Sequence, residues 1–209
     1  QVPDTWSEKK LDPSDSTLDR AATDPVMNEM DEYAVEEALK LQEAHGGEVT
    51  ILSMGPDAAT ETIRKALSMG ADKAVHVIDD GLHGSDAVAT SLALSKALEK
   101  AGPYDLVILG SESSDARMSV VPAMLAERLG LPQVTFASEL TVDGGHVRIR
   151  RDNESLESER SGTGRPLLAA LGGKSQEIFE VGEAGVAPVT AGHVRGFRRR
   201  PDAHPVDGT

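Results

Sequence analysis

The stretch that decides the fold class is Asp105-Leu106-Val107-Ile108-Leu109-Gly110-Ser111-Glu112-Ser113-Ser114-Asp115. Four consecutive apolar residues run into a glycine and a loop of small polar residues, and an amphipathic segment with Pro122 near its start follows. This order predicts a buried parallel strand, a tight loop and a new helix. At the carboxyl edge of a sheet, such a loop and the free N–H groups of the helix start can hold an anionic ligand. Taken alone, the stretch fits an ordinary loop without a ligand equally well.

Strands and helices alternate on both sides of this stretch. The predicted strands cover residues 49–54, 74–78, 105–109, 134–140 and 147–151. The predicted helices cover residues 28–45, 58–69, 85–101 and 121–129. Asn28 is the expected N-cap of the first helix, and Ser85 is the expected N-cap of the third. The alternation predicts βαβ units and a parallel sheet with helices on both faces. The turn at residues 143–146 joins the last two strands as an antiparallel hairpin at one edge.

The net charge, the glycine content and the apolar periodicity of the chain all change near Glu159. Residues 159–209 contain seven Lys/Arg and six Asp/Glu, whereas residues 1–158 contain 14 and 29, a net charge of −15. The last 51 residues also hold nine of the 20 glycines, and they lose periodicity apart from apolar clusters at 167–171 and 178–179. We therefore predict an α/β domain over residues 1–158 and an irregular, poorly ordered, divergent tail over residues 159–209.

Composition excludes several classes of function. Acidic residues outnumber basic ones 35 to 21, a formal charge of −14, which argues against binding to nucleic acid or an anionic membrane. No apolar run approaches the roughly 18 residues of a membrane span, so membrane insertion is not expected. The chain has no cysteine, which excludes disulfides and thiolate metal sites and is compatible with the predicted cytoplasmic location.

Motifs for catalysis are missing from the sequence. The six histidines show no helical i, i+4 pair of the kind that binds a metal. The sequence also lacks a Gly-x-Ser-x-Gly motif, a Walker lysine loop and a Gly-x-Gly-x-x-Gly motif. We therefore expect neither a self-contained enzyme nor a metal site.

Binding is better supported, because three junctions at the predicted carboxyl edge carry small or polar groups. They are residues 28–31, 53–56 and 110–119, and their convergence would form a nucleotide-sized cleft. Gly110 would let the backbone approach a ligand closely, and the serine hydroxyls and N–H groups of the third junction could donate to a phosphate. Met54 offers a flexible apolar surface for a purine ring. Each residue taken singly fits a cap, a turn or core filling, and the set of three junctions favours binding.

A series of motifs also matches a known family in order. The longest is Glu61-Thr62-Ile63-Arg64-Lys65-Ala66-Leu67-Ser68-Met69-Gly70-Ala71-Asp72-Lys73-Ala74. The others lie at residues 1–4, 28–38, 55–56, 79–81, 84–86, 110–115, 121–127, 129–133 and 151–152. Over about three quarters of its length the chain resembles the electron transfer flavoprotein beta subunit family, which includes FixA.

The resemblance implies a Rossmann-like fold of the adenine nucleotide alpha hydrolase type and a heterodimer with an alpha subunit that holds most of the FAD. Such pairs carry electrons from acyl-CoA or other dehydrogenases to the electron transfer flavoprotein–quinone oxidoreductase, and the beta subunit contributes no catalytic residues. It commonly holds a structural AMP. Carried over by position, the AMP-binding residues are Asn28, Glu29, Met30, Asp31, Met54, Gly110, Ser111, Ser113, Ser114, Asp115, Ala116, Arg117, Met118, Ser119, Val120 and Val121.

Departures from the family pattern leave alternatives open. The family's opening strand, which precedes the Gln1 motif and supplies part of the nucleotide site, is missing from the given sequence. The segment that docks dehydrogenases has no counterpart after Arg151. Bifurcating relatives hold a second FAD in place of AMP, but their Thr-x-Gln-Val run is not found after Asp115, which favours AMP. The competing interpretations are a stand-alone adenine-nucleotide-binding module, as in universal-stress-like domains, and a truncated, inactive beta subunit.

Overall fold

The computed structural model of the 209-residue chain describes residues 1–4, 6–143, 146–150, 167–171 and 179–181. The helices are α1 (Glu29–His45), α2 (Ala59–Met69), α3 (Ala87–Ala101) and α4 (Val121–Leu129). The strands are β1 (Val2–Pro3), β2 (Pro25–Val26), β3 (Thr50–Met54), β4 (Lys73–Val77), β5 (Leu106–Gly110), β6 (Gln133–Ala137), β7 (Glu139–Asp143), β8 (His146–Arg150), β9 (Leu167–Leu171) and β10 (Phe179–Val181). Short 3₁₀ turns lie at Arg20–Ala22 and Asp80–Leu82.

Parallel pairing dominates the centre of the molecule. β3 pairs with β4 in parallel, with Leu52 opposite Val75, and β9 lies between β5 and β6 and is parallel to both. β7 and β8 form an antiparallel hairpin, and β10 adds an antiparallel strand next to β8. The predicted α/β class, with parallel strands between helices and a hairpin, is confirmed.

Most predicted elements match the structure to within one or two residues, and two predictions about strands differ by more. The strand predicted over residues 134–140 is divided at Ser138, whose N–H donates to Arg150 O at 2.8 Å, so β6 and β7 belong to different sheets. Within the predicted tail, β9 is a central strand, and Leu168, Ala169 and Ala170 are buried. The division at residue 158 stays a prediction, and most of the predicted tail lies outside the described residues.

One predicted N-cap is confirmed in position, and the other differs. Asn28 is the N-cap residue of α1, but its side chain makes no capping bond. At α3 the capping residue is Asp86, whose carboxylate accepts from Ala89 N at 2.8 Å, and the Ser85 hydroxyl instead donates to Leu82 O at 2.7 Å. Short polar side chains favour helix starts because they can accept from free N–H groups, but tertiary partners can take them away from that role.

The core consists of two apolar clusters on opposite faces of β9. One joins Ala34 of α1 to Val134, Leu140, Ile149 and Ala169 of the sheets. The other joins Leu125 and Ala126 of α4 to Leu168. Because β9 contributes to both clusters, the two layers of helices are held on one sheet.

The start of α1 lies unusually close to the end of β5. A Cβ atom built on Gly110 would lie 2.6 Å from Met30 Cβ and 2.9 Å from Met30 C, closer than real side chains approach. Glycine is therefore required here by the packing of a helix backbone against a strand. The expectation that Gly110 serves the approach of a ligand stays a prediction.

Gly110→Ala should lower the free energy of unfolding by about 1–3 kcal/mol, because the added methyl group meets backbone atoms that cannot rotate away. Urea unfolding measures the change. Gly55→Ala is the matched control, since its new Cβ would lie 3.2 Å from the Ala59 methyl group. A second Met30→Ala change should give no rescue, because alanine keeps the Cβ and the backbone. Full rescue would contradict the packing explanation.

Candidate functional site

The candidate site lies where β5 ends and its loop crosses the start of α1. Asn28 is 2% exposed, and its side chain contacts the loop with both of its polar atoms. Its amide nitrogen donates to Glu112 O at 2.9 Å, and its Oδ1 accepts from Ser114 N at 2.9 Å. The Asn28 side chain makes no capping bond to α1, because its amide group hydrogen-bonds to the backbone C=O and N–H groups of the loop. Backbone groups of a neighbouring strand would make the same kind of pair.

Asp31, about one turn further along α1, forms hydrogen bonds both to the end of β5 and to the Asn28 side chain. Its Oδ1 accepts from Gly110 N at 2.7 Å, and its Oδ2 accepts from Asn28 Nδ2 at 3.0 Å. The helix periodicity places Asn28 and Asp31 on one side of α1, so both reach the same loop. Because Asp31 already uses the Gly110 N–H, that group is not free to donate to a phosphate in this arrangement.

Asp115 forms a second polar contact on the outer side of the loop. Burial by itself would raise the pKa of this carboxyl, but hydrogen bonds from the Ser113 hydroxyl and the Ala116 N–H, together with Arg20, outweigh burial and lower the pKa. Arg20 Nη2 lies 3.3 Å from Asp115 Oδ2. The carboxylate therefore stays charged at neutral pH and ties the loop to the 3₁₀ turn at Arg20–Ala22.

The outer half of the loop is exposed and conformationally unusual. Residues 116–119 are exposed, and Arg117 and Ser119 have positive φ angles of 49° and 53°. Few residues other than glycine and asparagine adopt this region without cost, and such conformations concentrate at functional sites. The Ser119 hydroxyl donates to Glu112 Oε2 at 2.8 Å.

The loop leads directly into α4, a helix of nine residues whose second residue is Pro122. The first intrahelical bond of α4 runs from Met124 N to Val120 O. The N–H groups of Val121 and Ala123 precede it and have no partner inside the helix, and they carry the positive end of the helix dipole. These groups are suited to bind an anion.

Met54 and Gln1 lie at the end of the neighbouring strand pair. Met54 ends β3, is half-buried and lines the same groove as Asn28 and Asp31. The Gln1 side chain lies near Gly55 and borders the same groove. An apolar side chain and a polar side chain thus border the same groove as the polar loop.

The predicted site residues fall into three groups. Hydrogen bonds bring Asn28, Asp31, Gly110 and Ser114 together, and Ser113 joins Asp115. Met30 packs on Gly110, and Ser111 is buried at 6% exposure. The exposed residues at this edge are Glu29, Ala116, Arg117, Met118 and Ser119, and Val120 and Val121 are half-buried.

Three residues of the site were not among those predicted, namely Arg20, Glu112 and Gln1. Glu112 lies within the predicted loop but was not among the predicted ligand-binding residues. Arg20 lies before the first predicted helix, 95 positions from Asp115 in sequence. A single arginine in a polar segment carries no sequence signal for so distant a contact.

The polar groups of the site include donors for an anion. Within the described ranges, no group of three or more His, Asp or Glu side chains is arranged to hold a metal ion. In the same part of the chain, no helix is both long and apolar enough to cross a bilayer. Donors for an anion lie at the α4 start, and the carboxylates of Asp31 and Asp115 are already hydrogen-bonded.

Parallel strands between helices, with a polar loop at the carboxyl edge of β5, define an α/β protein of the Rossmann-like class. Residues 15–194 match the family model of the electron transfer flavoprotein domain. The chain belongs to the electron transfer flavoprotein family. The match extends past Arg151, where the motif resemblance ends, and includes β9 and β10.

Similar proteins carry beta-subunit names, which confirms the predicted resemblance. The electron transfer flavoprotein subunit beta of Mycobacterium leprae is 54% identical over 159 residues, which cover 74% of this chain and 60% of that protein. The corresponding subunit of Thermoanaerobacterium thermosaccharolyticum is 41% identical, covering 72% and 57%. Protein FixA of Sinorhizobium fredii is 40% identical, covering 68% and 50%. The chain thus spans 60% or less of the length of these relatives.

Asn28→Ala should lower the free energy of unfolding by at least about 2 kcal/mol, because Glu112 O and Ser114 N lose their partner in a part-buried position. Hydrogen exchange of residues 110–115 should accelerate in the same variant. Chemical unfolding and exchange mass spectrometry measure the two effects.

Gln42→Ala is the matched control for this change, because the Gln42 amide donates to Asp72 Oδ2 at 2.7 Å in an exposed position. It should cost about 1 kcal/mol or less and leave the loop unaffected. Equal losses in the two variants would show that Asn28 does not hold the loop.

Proposed function

We propose that this protein is an electron transfer flavoprotein beta subunit that pairs with an FAD-bearing alpha subunit and holds AMP at the carboxyl edge of β5. The supporting observation is the match of residues 15–194 to the family model together with a loop, residues 110–121, that is fastened to α1 and opens onto a free helix start. The names of the similar proteins favour the beta subunit.

A bound AMP fits the distribution of donors and apolar surface. Its phosphate would lie at the start of α4, where the N–H groups of Val121 and Ala123 have no partner inside the helix. The nearby Ser119 hydroxyl donates to Glu112 Oε2 and would have to leave that partner to reach the phosphate. Its adenine would lie towards Met54, whose thioether side chain adapts to flat rings. Asp31 and Asn28 would contribute indirectly, because they hold the loop in place and do not donate to the phosphate.

The described residues support a carrier role in which this chain positions groups and leaves the redox chemistry to flavin. FAD, held mainly by the alpha subunit, supplies the acceptor and donor of electrons. The residues of this chain bind the nucleotide and keep the loop in place. Electron donors of the acyl-CoA dehydrogenase type, a quinone oxidoreductase as acceptor and a cytoplasmic location complete the proposal.

Co-expression with a family alpha subunit should give a one-to-one complex with a flavin absorbance spectrum. Size-exclusion chromatography with diode-array detection measures both properties, and the alpha subunit expressed alone is the control. Addition of an acyl-CoA dehydrogenase and its substrate should then bleach the flavin. A chain that retains AMP but elutes apart from the alpha subunit would favour a stand-alone nucleotide-binding module.

Ser119→Asp should reduce the AMP content of the purified protein by roughly tenfold or more, because a carboxylate would face the phosphate at the α4 start. Ser119→Asn is the matched control. Both side chains tolerate the positive φ of 53° at this position, and they differ in charge. Asparagine should retain most of the AMP.

The bound nucleotide is released by denaturation and quantified by chromatography. Equal AMP content in the two Ser119 variants would place the phosphate away from α4. Circular dichroism checks that both variants keep the fold, which is expected because Ser119 is exposed.

A further inference from the structure

Glu112 places a carboxylate in the loop to which the proposed function assigns the phosphate. The Asn28 amide nitrogen donates to Glu112 O at 2.9 Å, so the backbone at this position is fixed to the start of α1. The Glu112 side chain then reaches across the loop, where its Oε2 accepts from the Ser119 hydroxyl at 2.8 Å. This bond joins two residues that are 7 positions apart and closes the outer half of the loop.

The backbone of the outer half turns back towards Glu112. Arg117 and Ser119 have positive φ angles, and Arg117 N donates to Ser113 O at 3.0 Å. Such conformations cost energy in most residues other than glycine and asparagine, and contacts around them must hold them in place. The Glu112–Ser119 bond is such a contact. It brings the carboxylate to a residue that lies just before the first turn of α4.

The cations of the site do not neutralise the Glu112 charge. Arg20 Nη2 pairs with Asp115 Oδ2 at 3.3 Å, and Arg117 Nε donates to Ser114 O at 3.4 Å. In the part of the chain that the structure describes, Glu112 forms no ion pair with either arginine. A carboxylate beside a helix start is attracted by the positive end of the helix dipole, so Glu112 competes there with any other anion.

A bound phosphate could move this charge only a short way. The Glu112 side chain can leave Ser119 by rotation about its own bonds, but Asn28 keeps its backbone in place. The carboxylate therefore remains within several ångströms of the α4 start. Repulsion between two anions grows with the charge of each, so a ligand with more phosphate groups loses more affinity.

We propose that Glu112 is a specificity-determining residue that disfavours nucleotides in proportion to their negative charge, and so favours a nucleoside monophosphate over a diphosphate. The proposal rests on the proposed function, because it takes the phosphate to bind at the start of α4. Asn28 fixes the position of Glu112, and the Glu112 carboxylate itself faces the ligand.

Glu112→Gln tests this role, because glutamine removes the charge and keeps both the length of the side chain and an oxygen acceptor for the Ser119 hydroxyl. Isothermal titration calorimetry compares adenosine, AMP and ADP on the full chain after bound nucleotide has been removed. The variant should bind adenosine as the parent does, AMP about threefold more tightly and ADP about tenfold more tightly. Both gains should shrink at about 1 M salt, which screens charges.

Glu127→Gln is the matched control. Glu127 is exposed and belongs to the same helix, six positions after Val121. The substitution removes the same charge about 9 Å further along the helix axis, and it should leave all three affinities within about twofold of the parent. Hydrogen exchange of residues 112–119 should be the same in the parent and in both variants.

The outcomes separate this proposal from the proposed function. Equal gains for the three ligands, or no gain for AMP and ADP, would overturn the role of Glu112 and leave AMP binding intact. Gains that accompany faster exchange of residues 112–119 would reflect a change in the loop structure and would also overturn the role. If neither the parent nor Glu112→Gln binds AMP, the proposed AMP site is wrong and the role of Glu112 falls with it.

Discussion

Asp31 accepts a hydrogen bond from Gly110 N at 2.7 Å, and Asn28, three residues earlier, pairs with the backbone of Glu112 and Ser114. The remaining geometry of the candidate site depends on this polar contact between α1 and the end of β5. Its partners are part-buried, so each unmade bond would leave a polar group without water. The contact is possible because position 110 has no side chain, which lets the Met30 backbone approach the strand.

This contact separates the loop into an inner and an outer half with different roles. The inner half, up to Ser114, is fixed by side chains of α1 and offers few free donors. The outer half is exposed, includes positive φ angles at Arg117 and Ser119, and leads to the free N–H groups of α4. Binding groups placed on a rigid scaffold keep their geometry before a ligand arrives, which lowers the entropic cost of binding.

The strands also differ from one another in how completely their edges and faces are covered. β9 is covered on both edges and both faces and connects the two apolar clusters, whereas β3 and β5 face each other across the groove. A parallel sheet gains stability from continuous pairing and from helices on both faces.

The sequence by itself determined the α/β class, the four helices and the location of the loop after Leu109, because apolar periodicity and turn residues are local signals. Tertiary structure alone decided that Leu167–Leu171 lies between β5 and β6, since five apolar residues in a glycine-rich segment carry no sequence signal for the strands beside which they pair. It also decided that Asn28 holds the loop instead of capping α1, and that Arg20 meets Asp115. These contacts join residues more than 80 positions apart in sequence, and no local pattern encodes such a distance.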